Sequence, residues 1–334
     1  MIFVTGGTGL LGAHLLFELT KKEEPIRALF RSEERKNHVL EVFRYYTDNP
    51  ESQFNKIEWI AGDLLDLASL ERGMDGAKLV YHCAALVSFN PADRDRLFLI
   101  NERGTANVVN VALAAKVSKL AYVSSVAALG RADGARVIDE SAVWKNGPEN
   151  SNYSISKNAA EREVWRGTEE GLPAVIINPS IIFGPGYWNE GSSKIFSSIA
   201  NGFSFYSEGI NGFVDVRDVV ATFLQLAEST IENERYILCA ENESYKVVFT
   251  KIAEALGVKP PHRKTPPWLA NIVWRVFALR RLLTGKAPLV TKETARTAQQ
   301  EVRYSNQKIR EALDFNFRPL GRSIEEIGRF YPKN

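Results

Sequence analysis

The sequence predicts an α/β fold, in which a doubly wound parallel sheet carries helices on both faces and a smaller C-terminal lobe follows. Short apolar runs alternate with amphipathic stretches through the first half of the chain, which is the pattern of repeated βαβ units. The runs are rich in Val, Ile and Leu, as expected for strands buried on both sides. At 334 residues the chain is long enough for one such domain and an added lobe.

Six apolar runs are predicted as strands of this sheet. They are Ile2–Thr5, Ile26–Phe30, Ile57–Ala61, Leu79–His82, Leu120–Ser124 and Ala174–Asn178. The stretches between them have helical spacing of apolar residues, and we predict helices at Leu10–Lys21, Glu33–Tyr46, Leu67–Arg72, Arg94–Ala114 and Ser154–Glu169.

The regular alternation ends after Pro179, where Gly and Ser become frequent. We therefore predict a Rossmann-type domain over residues 1–179, to which residues 213–240 return. Residues 180–212 and 241–334 form the predicted substrate-binding lobe. Within that lobe the apolar segment Trp268–Leu279 is interrupted by Arg275 and is too short to span a bilayer. A lid or interface helix is expected there, with interfacial membrane contact of the 268–283 region as the alternative.

The composition excludes several classes of function. The formal net charge is +2, from 42 basic and 40 acidic residues, so a nucleic-acid partner is not expected. Cys83 and Cys239 are the only cysteines, which predicts neither a disulfide framework nor a metal site. A reducing cytoplasm is the expected location. The N-terminus begins with a strand-like run and has no signal-peptide pattern, and no transmembrane segment is predicted.

A glycine-rich turn, Thr5-Gly6-Gly7-Thr8-Gly9-Leu10-Leu11-Gly12, connects the first strand to the first helix. Gly6, Gly9 and Gly12 suit a tight turn, close approach of a pyrophosphate and close helix–strand packing. The helix N-terminus adds N–H donors and a favourable dipole. The turn therefore predicts dinucleotide binding; a glycine turn without a ligand is the alternative.

The second and third strands bear on which dinucleotide binds. Arg31 follows the second strand and offers a cationic fork to a 2′-phosphate, so NADP is predicted. Glu33 and Glu34 keep NAD open, although both also suit the first turn of a helix. Asp63 and Leu64 follow the third strand and can contact adenine, or Asp63 can be a helix cap.

Tyr153 and Lys157 stand four residues apart, so a helix places them on one face. A nearby ammonium group stabilises phenolate and would lower the pKa of the tyrosine. Ser124 and Ser125 follow a strand whose end faces the cofactor crevice. A serine, a tyrosine and a lysine together predict hydride transfer, in which serine orients the carbonyl and tyrosine exchanges its proton.

These motifs resemble those of the extended short-chain dehydrogenase/reductase superfamily. The matching segments are the glycine turn, Gly62–Leu64, His82–Ala85, Asn101–Thr105, Val123–Ser125, Tyr153–Lys157, Asn178–Pro185 and Phe213–Val219. The resemblance implies that Ser125, rather than Ser124, is catalytic beside Tyr153 and Lys157. It further implies a set of cofactor contacts: Thr5, Gly6, Gly9, Leu10, Leu11, Gly12, Arg31, Asp63, Leu64, Ala84, Ala85, Asn101, Tyr153, Lys157 and Pro179.

Within that superfamily the chain is most similar to the group of dihydroflavonol reductases, 3β-hydroxysteroid dehydrogenases and hopanoid-associated epimerases. The stretch Leu283–Thr291 and the later Arg303-Tyr304-Ser305 also resemble this group. Gly130 stands where plant dihydroflavonol reductases have a substrate-binding asparagine, which argues against flavonoid chemistry. No Asp-Glu pair follows Ser125, which argues against dehydration.

The sequence thus predicts an NADP(H)-dependent oxidoreductase that acts on a small carbonyl or alcohol. The alternative is a sugar-nucleotide epimerase with retained NAD, and a non-catalytic dinucleotide-binding protein is a third hypothesis. An apolar or ring-bearing substrate is suggested by five aromatic residues, which core packing explains equally well: Phe89, Phe183, Tyr187, Trp188 and Trp268. The resemblance also implies a homodimer formed through Arg94–Ala114 and Ser154–Glu169.

Overall fold

The computed structural model describes residues 1–130, 137–148, 150–266 and 296–332. The predicted apolar helix at Trp268–Leu279 and the stretch Leu283–Thr291 lie outside these residues.

The strands differ in length and in the sheet to which they belong. In chain order they are β1 (Ile2–Thr5), β2 (Ile26–Phe30), β3 (Ile57–Ala61), β4 (Leu79–His82), β5 (Lys119–Val123), β6 (Ala174–Pro179), β7 (Ile181–Phe183), β8 (Phe205–Tyr206), β9 (Ile210–Asp215), β10 (Glu234–Leu238), β11 (Glu241–Ser244) and β12 (Arg263–Lys264).

The α-helices connect these strands. They are α1 (Leu10–Leu19), α2 (Glu33–Phe43), α3 (Pro50–Phe54), α4 (Leu67–Met74), α5 (Arg94–Leu97), α6 (Gly104–Ala114), α7 (Asn152–Glu169), α8 (Lys194–Ala200), α9 (Val216–Glu228), α10 (Tyr245–Leu256), α11 (Gln307–Leu313) and α12 (Leu320–Arg329). A π-helical turn, Phe98–Arg103, joins α5 to α6.

The main sheet has seven parallel strands in the order β10-β6-β5-β4-β1-β2-β3. The chain winds outward in one direction from β1 and in the other from β4, so the strand order reverses between these two strands. In such sheets ligands bind outside the carboxyl ends of the strands at the reversal. This topology confirms the predicted doubly wound parallel sheet and locates the crevice beside the glycine-rich turn.

Two apolar cores cover the faces of the main sheet. Helices α1, α2 and α9 pack on one face, where Leu15, Phe43 and Phe223 are fully buried. Helices α4, α6 and α7 pack on the other face, around residues such as Val108 and Val164. Every residue of β6 is buried, which explains why its sequence is a continuous apolar run rather than an alternating one.

A smaller lobe follows β6 and has its own core. Strands β7, β9 and β11 form a three-stranded sheet, and β8 pairs with β12. Phe183 and Phe213 stack at 5.3 Å between ring centroids beneath α8, α10 and α12. The chain then re-enters the main sheet, because β10 pairs in parallel with β6. The domain boundaries given above stay a prediction.

One predicted helix is interrupted in the structure. The single helix expected at Arg94–Ala114 is instead α5, the π-helical turn and α6. The wider turn directs Asn101 inward, where its amide accepts from Leu86 N at 2.7 Å and donates to Leu86 O at 3.0 Å. A long-range contact therefore takes precedence over regular α-helical hydrogen bonding.

Candidate active site

The glycine-rich turn passes close to the end of β4. Gly6 has a φ of +71°, and a Cβ atom there would lie 2.4 Å from Ala84 N. Gly6 O accepts from Gly9 N at 3.0 Å, which closes the turn before α1 begins. A side chain at Gly12 would lie 2.1 Å from Gly6 O. Both positions thus require glycine for the fold itself.

Gly9 differs from the other two glycines of the motif. A Cβ atom at Gly9 would meet only Gly6 O, at the ordinary contact distance of 3.5 Å. Gly9 is the N-cap of α1 and has no side chain to occupy the space above the first helical N–H groups. Packing within the protein does not explain the glycine here, whereas close approach of a phosphate does. The turn therefore fits a dinucleotide pyrophosphate.

The loop after β7 is hydrogen-bonded to this turn. Tyr187 is 3% exposed and its hydroxyl donates to Thr8 O at 2.7 Å. Its ring stacks on His38 of α2 at 4.1 Å. Trp188 packs against Phe196 and Tyr331. Phe183, Tyr187 and Trp188 therefore pack against other side chains within the protein. Core packing was the alternative to a role in substrate binding for these aromatic residues.

A buried polar chain joins the ends of β1 and β4 to α6. Thr5 Oγ1 lies 2.6 Å from His82 Nδ1, and His82 Nε2 lies 2.9 Å from Thr105 Oγ1. Burial lowers the pKa of His82 to about 3, so its ring is neutral at physiological pH. The side chain of Thr5 is therefore engaged within the protein, at the strand reversal.

The predicted 2′-phosphate and adenine contacts occupy the ends of β2 and β3. Arg31 is exposed, and its guanidinium lies 3.9 Å from Asp63 Oδ2. Asp63 Oδ1 accepts from Leu65 N at 3.0 Å, while Asp66 is the residue that precedes α4. Leu64 is buried against Gly104, so it belongs to the core rather than to an open surface.

Ser125 and Tyr153 meet at the carboxyl end of β5. The Ser125 hydroxyl lies close enough to that of Tyr153 to act on its pKa, and Ser125 Oγ accepts from Ala127 N at 3.1 Å. Tyr153 lies in the first turn of α7, which Ser151 caps by accepting from Ser154 N at 2.8 Å. The ring of Phe89 contacts Tyr153 edge to face at 5.5 Å. The two hydroxyl groups therefore lie on the same side of the crevice end of β5, as the predicted serine–tyrosine site requires.

Lys157 follows one helical turn after Tyr153 and is only 1% exposed. Its Nζ donates to Tyr122 Oη at 2.7 Å and to Val123 O at 3.0 Å. Burial lowers the pKa of Lys157 to about 7, and the nearby carboxylate of Glu161 opposes that shift. The lysine can therefore exchange a proton near neutral pH.

The expected effect of Lys157 on Tyr153 does not hold in this structure. Burial raises the pKa of Tyr153, and the hydrogen bond from Ser125 acts in the opposite direction. The physical reason is that Lys157 Nζ is directed toward Tyr122 and Val123.

Four further predicted cofactor contacts lie around this site. Ala84 and Ala85 follow β4, where Ala84 faces Gly6 and Ala85 is exposed. Pro179 is the buried last residue of β6. The amide of Asn101 is committed to Leu86 and to Ser156 Oγ, which lies 2.9 Å away, so it links the loop after β4 to α7.

Comparison with known proteins matches this arrangement to one family. The model of the NAD-dependent epimerase/dehydratase family covers residues 2–239, from β1 through β10. The chain belongs to the NAD-dependent epimerase/dehydratase family. Its members in the extended short-chain dehydrogenase/reductase group are NAD(P)-dependent reductases, dehydrogenases and epimerases, and this protein is an enzyme of that kind.

Curated relatives of this family member include several reductases. The chain is 31% identical over 317 residues to a Synechocystis protein provisionally named dihydroflavonol 4-reductase, covering 92% of this chain and 87% of that protein. It is 31% identical over 273 residues to sterol demethylase protein B of Methylococcus capsulatus, covering 80% and 77% of the two chains. Cinnamoyl-CoA reductase 1 of Petunia hybrida is 28% identical over 255 residues, covering 72% and 73%.

Solved structures share the fold over the whole chain. The crystal structure of gox2253 superposes with a TM-score of 0.79 at 29% identity, covering 99% of this chain and 97% of that one. The Bordetella bronchiseptica enzyme WbmG, solved with NAD and UDP, has a TM-score of 0.74 at 19% identity, covering 99% of this chain and 93% of that one.

Within the residues that the structure describes, no helix is long and apolar enough to cross a bilayer.

Two residues around Lys157, Tyr122 and Glu161, were not predicted from the sequence. Tyr122 is two residues before Ser124 on the same side of β5, and Glu161 is one turn after Lys157 on α7. Strand alternation and the i, i+4 spacing were the signals that could have identified them.

The contrast between Gly9 and Gly12 yields a test of the cofactor site. We expect Gly9→Ala to leave the melting temperature within about 2 °C of the wild type, because the added methyl has room. Its NADPH affinity should fall at least about tenfold, because the methyl occupies the phosphate position. Fluorescence titration and thermal melting measure the two quantities. Gly12→Ala is the matched comparison and should lower both, whereas unchanged affinity in Gly9→Ala would contradict this assignment.

Proposed function

We propose that the protein is an NADP(H)-dependent oxidoreductase that interconverts a carbonyl and an alcohol through Ser125, Tyr153 and Lys157. The contact between the Ser125 and Tyr153 hydroxyl groups carries this proposal, since it creates a place for one substrate oxygen. Lys157 lies one turn further along the same helix. The glycine-rich turn at the neighbouring strand reversal supports a dinucleotide beside that oxygen.

A bound nicotinamide supplies the hydride, and the remaining steps belong to the chain. In the reductive direction Ser125 Oγ and Tyr153 Oη donate to the carbonyl oxygen and polarise it. Tyr153 Oη then gives its proton to the developing alkoxide. In this proposal the Lys157 ammonium group turns from Tyr122 toward the resulting phenolate, stabilises it and returns a proton to it. Oxidation of the alcohol runs the same steps backwards.

The preference for NADP rests on the end of β2. Arg31 is 68% exposed in its side chain, and Ser32 caps α2 by accepting from Arg35 N at 3.4 Å. An arginine fork and a helix N-terminus together suit a phosphate dianion better than two ribose hydroxyl groups.

A ring-bearing carbonyl is the proposed substrate class. Of the four predicted aromatic residues that the structure describes, Phe89 is the one whose ring contacts Tyr153. At Gly130, a Cβ atom would lie 1.7 Å from Val143 O, so the backbone of residue 143 fills the place of the asparagine in plant dihydroflavonol reductases. A relative of the chain is named cinnamoyl-CoA reductase, and this name supports an aromatic substrate. In this protein such a substrate would bind without a contact to an asparagine at position 130.

The epimerase hypothesis requires cations for a substrate diphosphate. Arg217 was one candidate, but its guanidinium is bound by Asp215 at 2.6 Å and by Glu326 at 2.6 Å. Lys194 and Arg303 are exposed on the surface. The ion pairs of Arg217 and the surface positions of Lys194 and Arg303 favour the reductase over the epimerase.

A cytoplasmic location and a homodimer through the α5–α6 region and α7 complete the proposal.

Removal of the Tyr153 hydroxyl tests the catalytic role. We expect Tyr153→Phe to lower kcat for an aldehyde and ketone panel by about 100-fold or more, because the proton donor is lost. NADPH affinity should stay within about twofold, as the ring packing is retained. Steady-state assays and fluorescence titration provide the readouts. Tyr245→Phe removes a phenol from the smaller lobe and should behave as wild type; full activity of Tyr153→Phe would support a non-catalytic dinucleotide-binding protein instead.

The cofactor preference can be tested on the nucleotide-free protein. Loss of a charge-assisted phosphate contact costs about 1.5–3 kcal/mol, or roughly 10- to 100-fold in affinity. We therefore expect Arg31→Ala to weaken NADPH binding by that factor and NADH binding by less than about twofold. Arg44→Ala, at the far end of α2, is the control. Release of stoichiometric NAD(H) from the denatured wild type would overturn this preference and favour the epimerase.

The buried lysine predicts a pH profile. Since the pKa of Lys157 in the free enzyme is about 7, the ammonium form is lost as the pH rises through that value. We expect kcat/KM for reduction to fall about tenfold per pH unit above pH 7, and kcat/KM for alcohol oxidation to rise up to about pH 7 and level off above it, because only the neutral amine can take up the released proton. A flat profile between pH 6 and pH 9 would show that Lys157 does not titrate in the rate-limiting proton transfer.

A further inference from the structure

Lys157 has buried contacts on the side away from the crevice. Its Nζ donates to the hydroxyl of Tyr122, which is fully buried on β5. Nζ also lies 4.6 Å from the centroid of the Tyr122 ring. A tyrosine hydroxyl can accept one hydrogen bond and donate another, so this contact need not end the chain of hydrogen bonds.

The hydroxyl groups of Thr105 and Ser124 lie near the Tyr122 hydroxyl and act to lower its pKa, which burial raises. Ser124 Oγ donates to Glu161 Oε2 at 2.5 Å. Glu161 is 2% exposed and also accepts from Asn178 Nδ2 at 2.8 Å. A series of neighbouring polar groups, with hydrogen bonds at its first and last links, therefore leads from Lys157 to a buried carboxylate.

Glu161 connects this series with the protein surface. Its Oε1 accepts from Arg235 at 3.0 Å and lies 3.4 Å from Trp165 Nε1. The carboxylate lines a surface groove of about 300 Å³ between α7 and the segment before it; the groove is formed by Val143, Trp144, Asn158, Glu161, Arg162, Trp165 and Arg235. Water in this groove can reach Glu161 without passing through the substrate crevice.

We propose that Tyr122, Ser124 and Glu161 form a proton path that connects Lys157 with solvent in this groove. The proposal rests on the proposed function, in which each turnover moves one proton through Tyr153 and Lys157. In this scheme the three residues do not touch the substrate. They act through Lys157 and are positioning and relay groups.

The polarity of the hydrogen bonds gives the direction of transfer in the resting protein. Lys157 N–H points to Tyr122 Oη, and Ser124 O–H points to the Glu161 carboxylate. A proton released by alcohol oxidation passes from Lys157 to Tyr122 as the Tyr122 proton moves to Ser124 and the Ser124 proton moves to Glu161. Glu161 then releases it to water, so the path carries one proton outward. Reduction uses the reverse movement after Glu161 takes a proton from solvent.

The other branch from Tyr122 ends inside the protein. Thr105 leads to His82 and Thr5, all of which are at most 1% exposed. Among the ionisable groups near Lys157, burial lowers the pKa of His82 to about 3 and raises that of the Cys83 thiol to about 12. Neither exchanges protons readily near neutral pH. The Glu161 branch is therefore the one that leads to solvent.

Kinetic isotope effects on conservative variants test the path. Tyr122→Phe and Glu161→Gln interrupt it at the first and last links while retaining shape, and Ser124→Ala interrupts the middle. With cinnamaldehyde as the leading probe of the carbonyl panel, we expect kcat to fall about tenfold or more with KM within about twofold. The isotope effect of 4-deuterated NADPH on kcat should shrink, and the effect of D₂O should grow, because proton transfer becomes rate-limiting.

Chemical rescue distinguishes a relay from a structural role. Glu161→Ala leaves space in the groove for imidazole to replace the carboxyl, so kcat of Glu161→Ala should rise with imidazole concentration, whereas Tyr122→Phe leaves no such space and should resist rescue. Trp165→Phe removes a contact of Glu161 that is not part of the proposed path. The kcat of this variant should match that of the wild type.

Two results separate the possible failures. If the wild type turns over, unchanged isotope effects in Tyr122→Phe and Glu161→Gln, or the absence of imidazole rescue in Glu161→Ala, would overturn the proton path alone. An inactive wild type over the whole panel would overturn the proposed function and the path with it.

Discussion

The burial of an ammonium group at Lys157 is the constraint around which the active site is arranged. Removing such a charge from water costs several kcal/mol unless hydrogen bonds and opposite charge compensate. Tyr122 and Val123 provide the hydrogen bonds from β5, and Glu161 provides the negative charge from the next turn of α7. This requirement sets the register of α7 against β5, and it thereby holds Tyr153 above the end of the same strand.

Much of the main domain could be predicted from local sequence. The first four strands have the predicted bounds, because short, mainly apolar runs between polar turns leave little freedom in where a strand begins and ends. Helix ends were less predictable: α1 ends at Leu19 rather than Lys21, and α2 ends at Phe43 rather than Tyr46. The π-helical turn could not be predicted, since it depends on the contact between Asn101 and Leu86 across a loop.

The site shows the same division between local and long-range information. Spacing along one helix identified Tyr153 and Lys157, and the glycine pattern identified the cofactor turn. The role of Tyr122 depends on how β5 faces α7, and the state of Tyr153 depends on burial, which spacing alone does not reveal. The aromatic residues show why composition is a weak guide to a pocket: Phe183 packs in the smaller lobe, while Phe89 contacts Tyr153.

The hydrogen bond from Tyr187 to Thr8 couples two parts of the protein that are usually considered separately. The loop after β7 belongs to the predicted substrate-binding lobe, whereas Thr8 lies in the turn that is predicted to bind the nucleotide. A change of sequence in this loop is therefore transmitted to the geometry of the glycine turn. Divergence toward a new substrate through this loop must preserve the phenol or be accompanied by compensating changes at the turn, so the two specificities cannot evolve as independent modules.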